Sequence, residues 1–231
     1  MKKKSILTIL CVMLIICTSV LGTMAYLTDR DSVVNTFTIG RVDITLDEAD
    51  VDEDGKLIVD DKGNPVERVK GNEYHLIPGQ TYIKDPTVTV KAGSEESYIR
   101  MMVTINCLKE LDAIFAPAGA DLTAIFGGYD PETWIYVGEV RNESDNTSTY
   151  EFRYKESVAG GTEDVKLDAL FDTFTIPGII TGEELKTLQD MSITVTGHAI
   201  QTTGFADNAE IGETAENVAW KAFDRQMGLG F

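Results

Sequence analysis

Two histidines, one cysteine in the body of the chain and a run of closely spaced carboxylates are the side chains through which this sequence could do chemistry. His75 and His198 are the only histidines among 231 residues, and they stand 123 positions apart. A zinc protease of the commonest kind sets two His one helical turn apart with Glu between them as base, so that both imidazoles share a face. No His-Glu-x-x-His occurs here. His75 lies between Tyr74 and Leu76, just before a Pro-Gly turn, and His198 falls on the Thr194/Thr196 side of a strand, a surface position by alternation. Neither a Gly-x-Ser-x-Gly elbow nor a phosphate-binding glycine loop is present. Enzyme is therefore the weaker reading, and no catalytic residue is assigned. Cys107 sits on an apolar strand face, where a thiol behaves as a small core residue.

The carboxylates are more specific. Asp50, Asp52, Asp54, Gly55 and Asp61 match positions one, three, five, six and twelve of the EF-hand calcium loop. Carboxylates at alternate positions converge on one hard cation, and Gly permits the sharp turn between them. Asp50, Asp52, Asp54 and Asp61 are therefore a candidate Ca²⁺ set, with Asp61 standing where a bidentate Glu is usual, which weakens binding. The flanks argue the other way. Residues 42–46 read as a strand, and residues 57–59 followed by 61–65 read as a hairpin. An exposed acidic hairpin with no bound cofactor is the default, and a calcium-binding surface adhesin built round it is one alternative function. Asn142-Glu143-Ser144 and Asn146-Thr147-Ser148 match the glycosylation acceptor pattern but read as polar loop residues.

Charge and the first residues narrow the setting. Lys2, Lys3 and Lys4, an apolar run over residues 6–21 and small residues ending at Ala25 have the three parts of a secretory signal, cut between Ala25 and Tyr26. The run is short for a spanning helix, so no stable membrane span is expected after cleavage. Cleavage removes three of the 20 basic residues and none of the 38 acidic ones, moving the net charge from −18 to −21. So acidic a surface repels nucleic acid and anionic lipid. Cys11 and Cys17 leave with the signal, and Cys107 alone has no disulfide partner. Disulfides are common in secreted eukaryotic domains, so their absence leans towards a bacterial exporter.

The elements that must position these groups are mostly strands. Period-2 alternation marks residues 36–39, 42–46, 87–91, 99–107, 133–140, 148–155, 171–176 and 191–202, with a phase slip at Gly40-Arg41 that suits a bulge. Helices are expected over 108–115, over 183–188 and after Thr214, where Ala215, Val218, Ala219, Ala222 and Phe223 form a stripe beside Trp220. Many short strands with a few short helices predict a mostly β fold, a β-sandwich.

Three stretches carry a family resemblance. Gly22-Thr23-Met24-Ala25-Tyr26-Leu27-Thr28-Asp29 resembles the processing site of exported proteins cut by a SipW-type signal peptidase. Residues 35–44, Asn-Thr-Phe-Thr-Ile-Gly-Arg-Val-Asp-Ile, look like the first strand of the TasA/camelysin family. Residues 78–90, in which Pro78-Gly79 leads through Lys84-Asp85 into a strand, resemble its second marker, and residues 193–201 a third. The resemblance implies a jelly-roll sandwich exported by a Gram-positive bacterium and assembling into biofilm matrix fibres. It divides the chain into a signal peptide (1–25), an N-terminal assembly segment (26–42) and a sandwich domain (43–231). In such fibres the freed N-terminus adds as a strand to the neighbouring subunit, so Tyr26, Val33, Val34 and Phe37 become the assembly residues. The implied partners are copies of the same chain, the SipW-type peptidase and an accessory matrix protein. The camelysin branch implies the other alternative, a cell-surface metalloprotease.

Overall fold

The computed structural model describes residues 41–115, 125–205 and 212–229. The signal segment, the assembly residues Tyr26, Val33, Val34 and Phe37, and the strand expected over 36–39 lie outside them, as does Gly40 of the expected bulge. Ten strands and three helices follow in order: β1 (Ile44–Asp47), β2 (Thr81–Ile83), β3 (Thr87–Val90), β4 (Ser97–Asn106), α1 (Leu108–Phe115), β5 (Phe126–Gly127), β6 (Trp134–Asn142), β7 (Thr147–Tyr154), β8 (Val165–Lys166), β9 (Thr173–Thr175), α2 (Gly182–Thr187), β10 (Ile193–Gln201) and α3 (Ala215–Met227). The protein is mostly β, as its alternation predicts.

The strands form two layers. One is the antiparallel sheet β10-β4-β7-β6. The other comprises β1-β3-β8 and β2-β9-β5, joined where β2 leads into β3 and β8 leads into β9. Lys84 N–H donates to Asp172 O at 3.0 Å, and Leu170 N–H to Pro86 O at 3.1 Å, carrying the pairing from one stretch to the next across the break at Asp85-Pro86. Because β4 pairs with both β7 and β10, while β3 pairs with β8 and β2 with β9, the chain runs as a long hairpin rolled on itself. That is a jelly-roll-like sandwich.

The layers meet on the faces that the alternation marks. Ile99, Met101, Val103 and Ile105 of β4, Tyr150 and Phe152 of β7 and Trp134 of β6 are buried with Tyr82, Val88, Val90, Phe171 and Phe174 of the facing layer. Trp134 Nε1 donates to Asp168 O at 3.2 Å across the sandwich. A Cβ on Gly197 of β10 would stand 3.3 Å from Val88 Cγ2 and 3.6 Å from Ile44 Cδ1, so glycine lets the layers close there. β4 is covered on its other face too: Arg100 and Met102 are buried, Arg100 against Asp224, Trp220 and Phe223 of α3. This helix starts at Thr214, whose hydroxyl accepts from Asn217 N–H at 3.2 Å, and stops at Gly228 in the left-handed conformation.

Some expectations shift. The observed irregularity in register lies in β6 between Tyr136 and Gly138. The expected 57–65 hairpin is present in its shortest form, one bridge from Val59 to Pro65 with Asp60 N–H donating to Asn64 O at 2.8 Å, and a separate bridge from Val51 to Leu57 closes the turn before it. His198 is half-buried beneath α3, because the helix covers the face that alternation alone assigns to solvent. Asn146, in the second acceptor-like triplet, accepts from Lys109 N–H at 2.9 Å and so supports the start of α1.

The two-layer core predicts a strong asymmetry along the β4–β10 ladder. Met101→Ala should lower the urea-unfolding free energy by about 2–5 kcal/mol. Thr194→Ala, on the exposed face of the paired strand, should stay within about 0.5 kcal/mol of the parent.

Candidate functional site

Among the described residues β10 ends one layer and β1 the other, and the two pack against each other where Gly197 meets Ile44 and Leu46. Near the start of β10 runs an extended arm, residues 72–78, in which Asn72, Tyr74 and Leu76 turn inward while Glu73, His75 and Ile77 are exposed. The arm has the alternation of a strand without belonging to a sheet. A cleft of about 600 Å³ separates it from α2 and the start of β10, lined by Tyr74, Leu76, Phe174, Leu185, Met191 and Ile193. A second hollow of about 350 Å³ continues along β10 to Leu46, Pro86 and Val195. The two share Asn72, Lys84 and Ile193, so together they make one groove beside the open edge of β10.

Charged side chains hold the groove in shape. Lys84 Nζ donates to Glu48 Oε2 at 2.6 Å, with only 7% and 6% of the two side chains exposed. Asn72 completes the pair: its Nδ2 donates to Glu48 Oε1 at 2.9 Å, and its Oδ1 accepts from Val51 N–H at 3.1 Å. Beside it, Arg68 binds Asp47 at 2.5 Å and Asp85 at 2.7 Å, and donates to Thr87 Oγ1 at 3.0 Å. The carboxylates of Asp85 and Asp47 keep the Arg68 guanidinium charged, outweighing the burial that opposes it. Thus the Lys84-Asp85 step ties β1 and the arm to the strand that follows it. Tyr74 donates from its hydroxyl to Ile83 O at 3.0 Å, and burial, reinforced by the Glu48 carboxylate, pushes its ionisation far above the ordinary phenol range. It is a neutral wall of the groove and not a proton carrier.

The acidic segment is shaped by hydrogen bonds between its carboxylates and its own backbone. Asp52 Oδ1 accepts from Asp54 N–H at 3.1 Å and Lys56 N–H at 2.9 Å. Eight residues on, Asp60 Oδ1 accepts from Lys62 N–H at 2.8 Å and Asn64 N–H at 2.9 Å. These backbone donors hold the Asp60 carboxyl below its usual range. The segment is therefore one turn built twice, Asp52–Gly55 and Asp60–Gly63, each glycine with positive φ. Asp52 binds its own turn, Asp54 faces Lys56 at 3.5 Å, and Asp50 enters through its backbone O, which accepts from Ile58 N–H. Asp61 is exposed. Among the described residues no group of three or more His, Cys, Asp or Glu side chains is gathered closely enough to hold a metal ion.

The first turn is docked and the second is free. Gly55 O accepts from Ile83 N–H at 3.1 Å, Asp54 O from Gln80 Nε2 at 2.7 Å, and Glu53 O from His75 N–H at 2.7 Å, so the loop covers the outer edge of β2. A Cβ on Gly55 would come within 2.6–2.9 Å of Tyr82, including its backbone Cα, whereas one on Gly63 would meet nothing within 4 Å.

His75 lines the mouth of the groove, while His198 lies under α3 with its Nδ1 accepting from Arg100 Nε at 3.1 Å. They serve different surfaces. Glu48, Arg68, Asn72 and the groove itself escape sequence reasoning, because their partners lie 17 to 36 positions away. The one legible signal is Lys84-Asp85 beside Pro86, two charges entering an apolar strand. No helix of the described residues is long and apolar enough to cross a membrane. Comparison with family models, with characterised proteins and with solved structures gives no significant match.

Two measurements check this geometry. Gly63→Ala should cost about 1–2 kcal/mol for its left-handed backbone alone, and Gly55→Ala should cost a further 1–3 kcal/mol or so of overpacking against Tyr82; equal losses would show that the first turn is not docked. Lys84→Met, which strands the Glu48 charge, should destabilise the fold by roughly 3–5 kcal/mol, and adding Glu48→Leu should recover most of it.

Proposed function

We propose that this chain is a secreted structural subunit of an extracellular matrix fibre, in which the freed N-terminal segment of one copy adds as a strand along the groove of the next. The observation that carries the reading is the groove beside β10, a terminal strand among the described residues, which runs from an apolar stretch at Leu76, Met191 and Ile193 to a more polar one at Leu46, Glu48 and Lys84. An edge strand carries an unused row of backbone donors and acceptors, and strand addition satisfies them without any catalytic centre.

Dimensions and chemistry support the fit. Residues 26–37 in extended form span about 40 Å, against about 30 Å for the nine residues of β10. By alternation Val33 and Phe37 would share one face of such a strand, the face suited to an apolar lining, and Val34 the other. Cutting between Ala25 and Tyr26 by a SipW-type peptidase releases the segment. The contact is heterologous, so each copy both gives a strand and receives one, and the chain of contacts propagates without closing. An accessory matrix protein would act by starting or anchoring that series. The strongly negative subunit charge makes growth sensitive to ionic strength, because like-charged copies repel until screened.

Electron microscopy of chains beginning at Tyr26 and at Asp43 tests this. The first should give filaments and the second only monomers. Added in small amounts, the shortened chain should also cap growing filaments, since it keeps the groove and lacks the strand. Monomers from both, at high concentration and with calcium present, would remove self-assembly as the function.

A further inference from the structure

The outer face of the β10-β4-β7 layer holds a second buried charge cluster, separate from the groove. Arg100 is 0% exposed. Its guanidinium donates to both oxygens of Asp224 on α3, through Nη2 to Oδ1 and through Nη1 to Oδ2 at 3.2 Å, and lies 3.7 Å from Glu151 of β7. It stacks 4.5 Å from the ring of Trp220 and 5.2 Å from that of Phe223. Only Ala219 and Trp220 of α3 are fully buried, so docking of the helix centres on this one cation. At its N-terminal end, Arg153 of β7 adds a hydrogen bond to Asn217 Oδ1 at 2.6 Å and an ion pair to Glu216 at 3.9 Å.

His198 completes the cluster from β10. Its Nδ1 accepts from Arg100 Nε at 3.1 Å, and its ring lies 4.8 Å from that of Phe223. Accepting that bond requires a neutral imidazole with its proton on Nε2. The charged groups facing the ring are Arg100 of β4, Glu151 of β7 and Asp224 of α3.

We propose that α3 is an acid-released latch on this face and that His198 is its trigger. A proton arriving at His198 must go to Nδ1. There it turns the acceptor into a donor aimed at the Arg100 N–H and sets a second positive charge beside a guanidinium buried away from solvent screening. Burial and the Arg100 charge hold the imidazole below its ordinary value near 6.5, against the opposing pull of Asp224 and Glu151. A group whose folded pKa is depressed contributes stability that is present above its unfolded value and is lost as pH falls through the folded one. Docking of α3 is therefore intact at neutral pH and weakens below about 6.5. Release uncovers Arg100 and the Trp220 face together.

The test is ¹⁹F NMR of the full chain labelled with 5-fluorotryptophan, which gives one signal for Trp220 and one for the core residue Trp134, alongside the ring-proton titration of His198. On acidification the Trp220 signal should move to its solvent-exposed position with the same midpoint as His198, below about 6.5, while that of Trp134 holds. His198→Gln, which cannot take up the proton, should lower the Trp220 midpoint by about one pH unit or more. Trp220 and Trp134 moving together would mean global unfolding and overturn the latch. A Trp220 midpoint that differs from that of His198 in the parent chain, or an unchanged midpoint in His198→Gln, would overturn the trigger.

Discussion

β4 is the strand on which every other element depends, because it is buried on both faces and paired along both edges. Its inner row, Ile99, Met101, Val103 and Ile105, closes the sandwich, and its outer row, Arg100 and Met102, receives α3. Nine residues of β10 pair with it on one side and seven of β7 on the other. A strand held this way fixes the register of its neighbours, since a slip of one residue would turn the apolar row outward and the arginine into the core. The positions of the groove beside β10 and of the cluster under α3 both follow from that register.

Electrostatics gives the fold its second organising rule. The chain carries 38 acidic residues and 20 basic ones, so cations are the scarce partners. The buried ones act as hubs. Arg68 gathers Asp47 and Asp85, Arg100 gathers Asp224 and Glu151, and Lys84 takes Glu48 with the help of Asn72. Such pairs add little net stability over apolar substitutes, but each is costly to break once formed. They therefore favour one arrangement of β1, the arm and α3 over near alternatives more than they deepen the folded state.

Open edges are the remaining constraint. The first acidic turn covers β2, and the register shift at Tyr136/Gly138, with Glu139 and Arg141 beyond it, interrupts β6, whose Ile135, Val137 and Val140 remain 42–46% exposed. β10 is different. Among the described residues its edge borders the groove instead of a covering loop, and the proposed strand addition is set there for that reason.

Alternation along single strands makes the β class, most strand positions and all three helices legible in the sequence, because those patterns depend on residues two to four positions apart. The expected export signal and the resemblance at the N-terminus are sequence expectations on which the proposed assembly role rests. The carboxylate spacing of the acidic segment is equally visible but ambiguous: the same Asp-x-x-Gly pattern suits a cation loop or a turn that satisfies its own backbone, and docking of Gly55 on Tyr82 accompanies the second. The short strands β2, β5 and β8, the Glu48–Lys84 pair, the groove and the burial of His198 are decided only by tertiary structure. Each joins residues distant in sequence, and whether a face meets water or another element depends on what packs there, which no local pattern records.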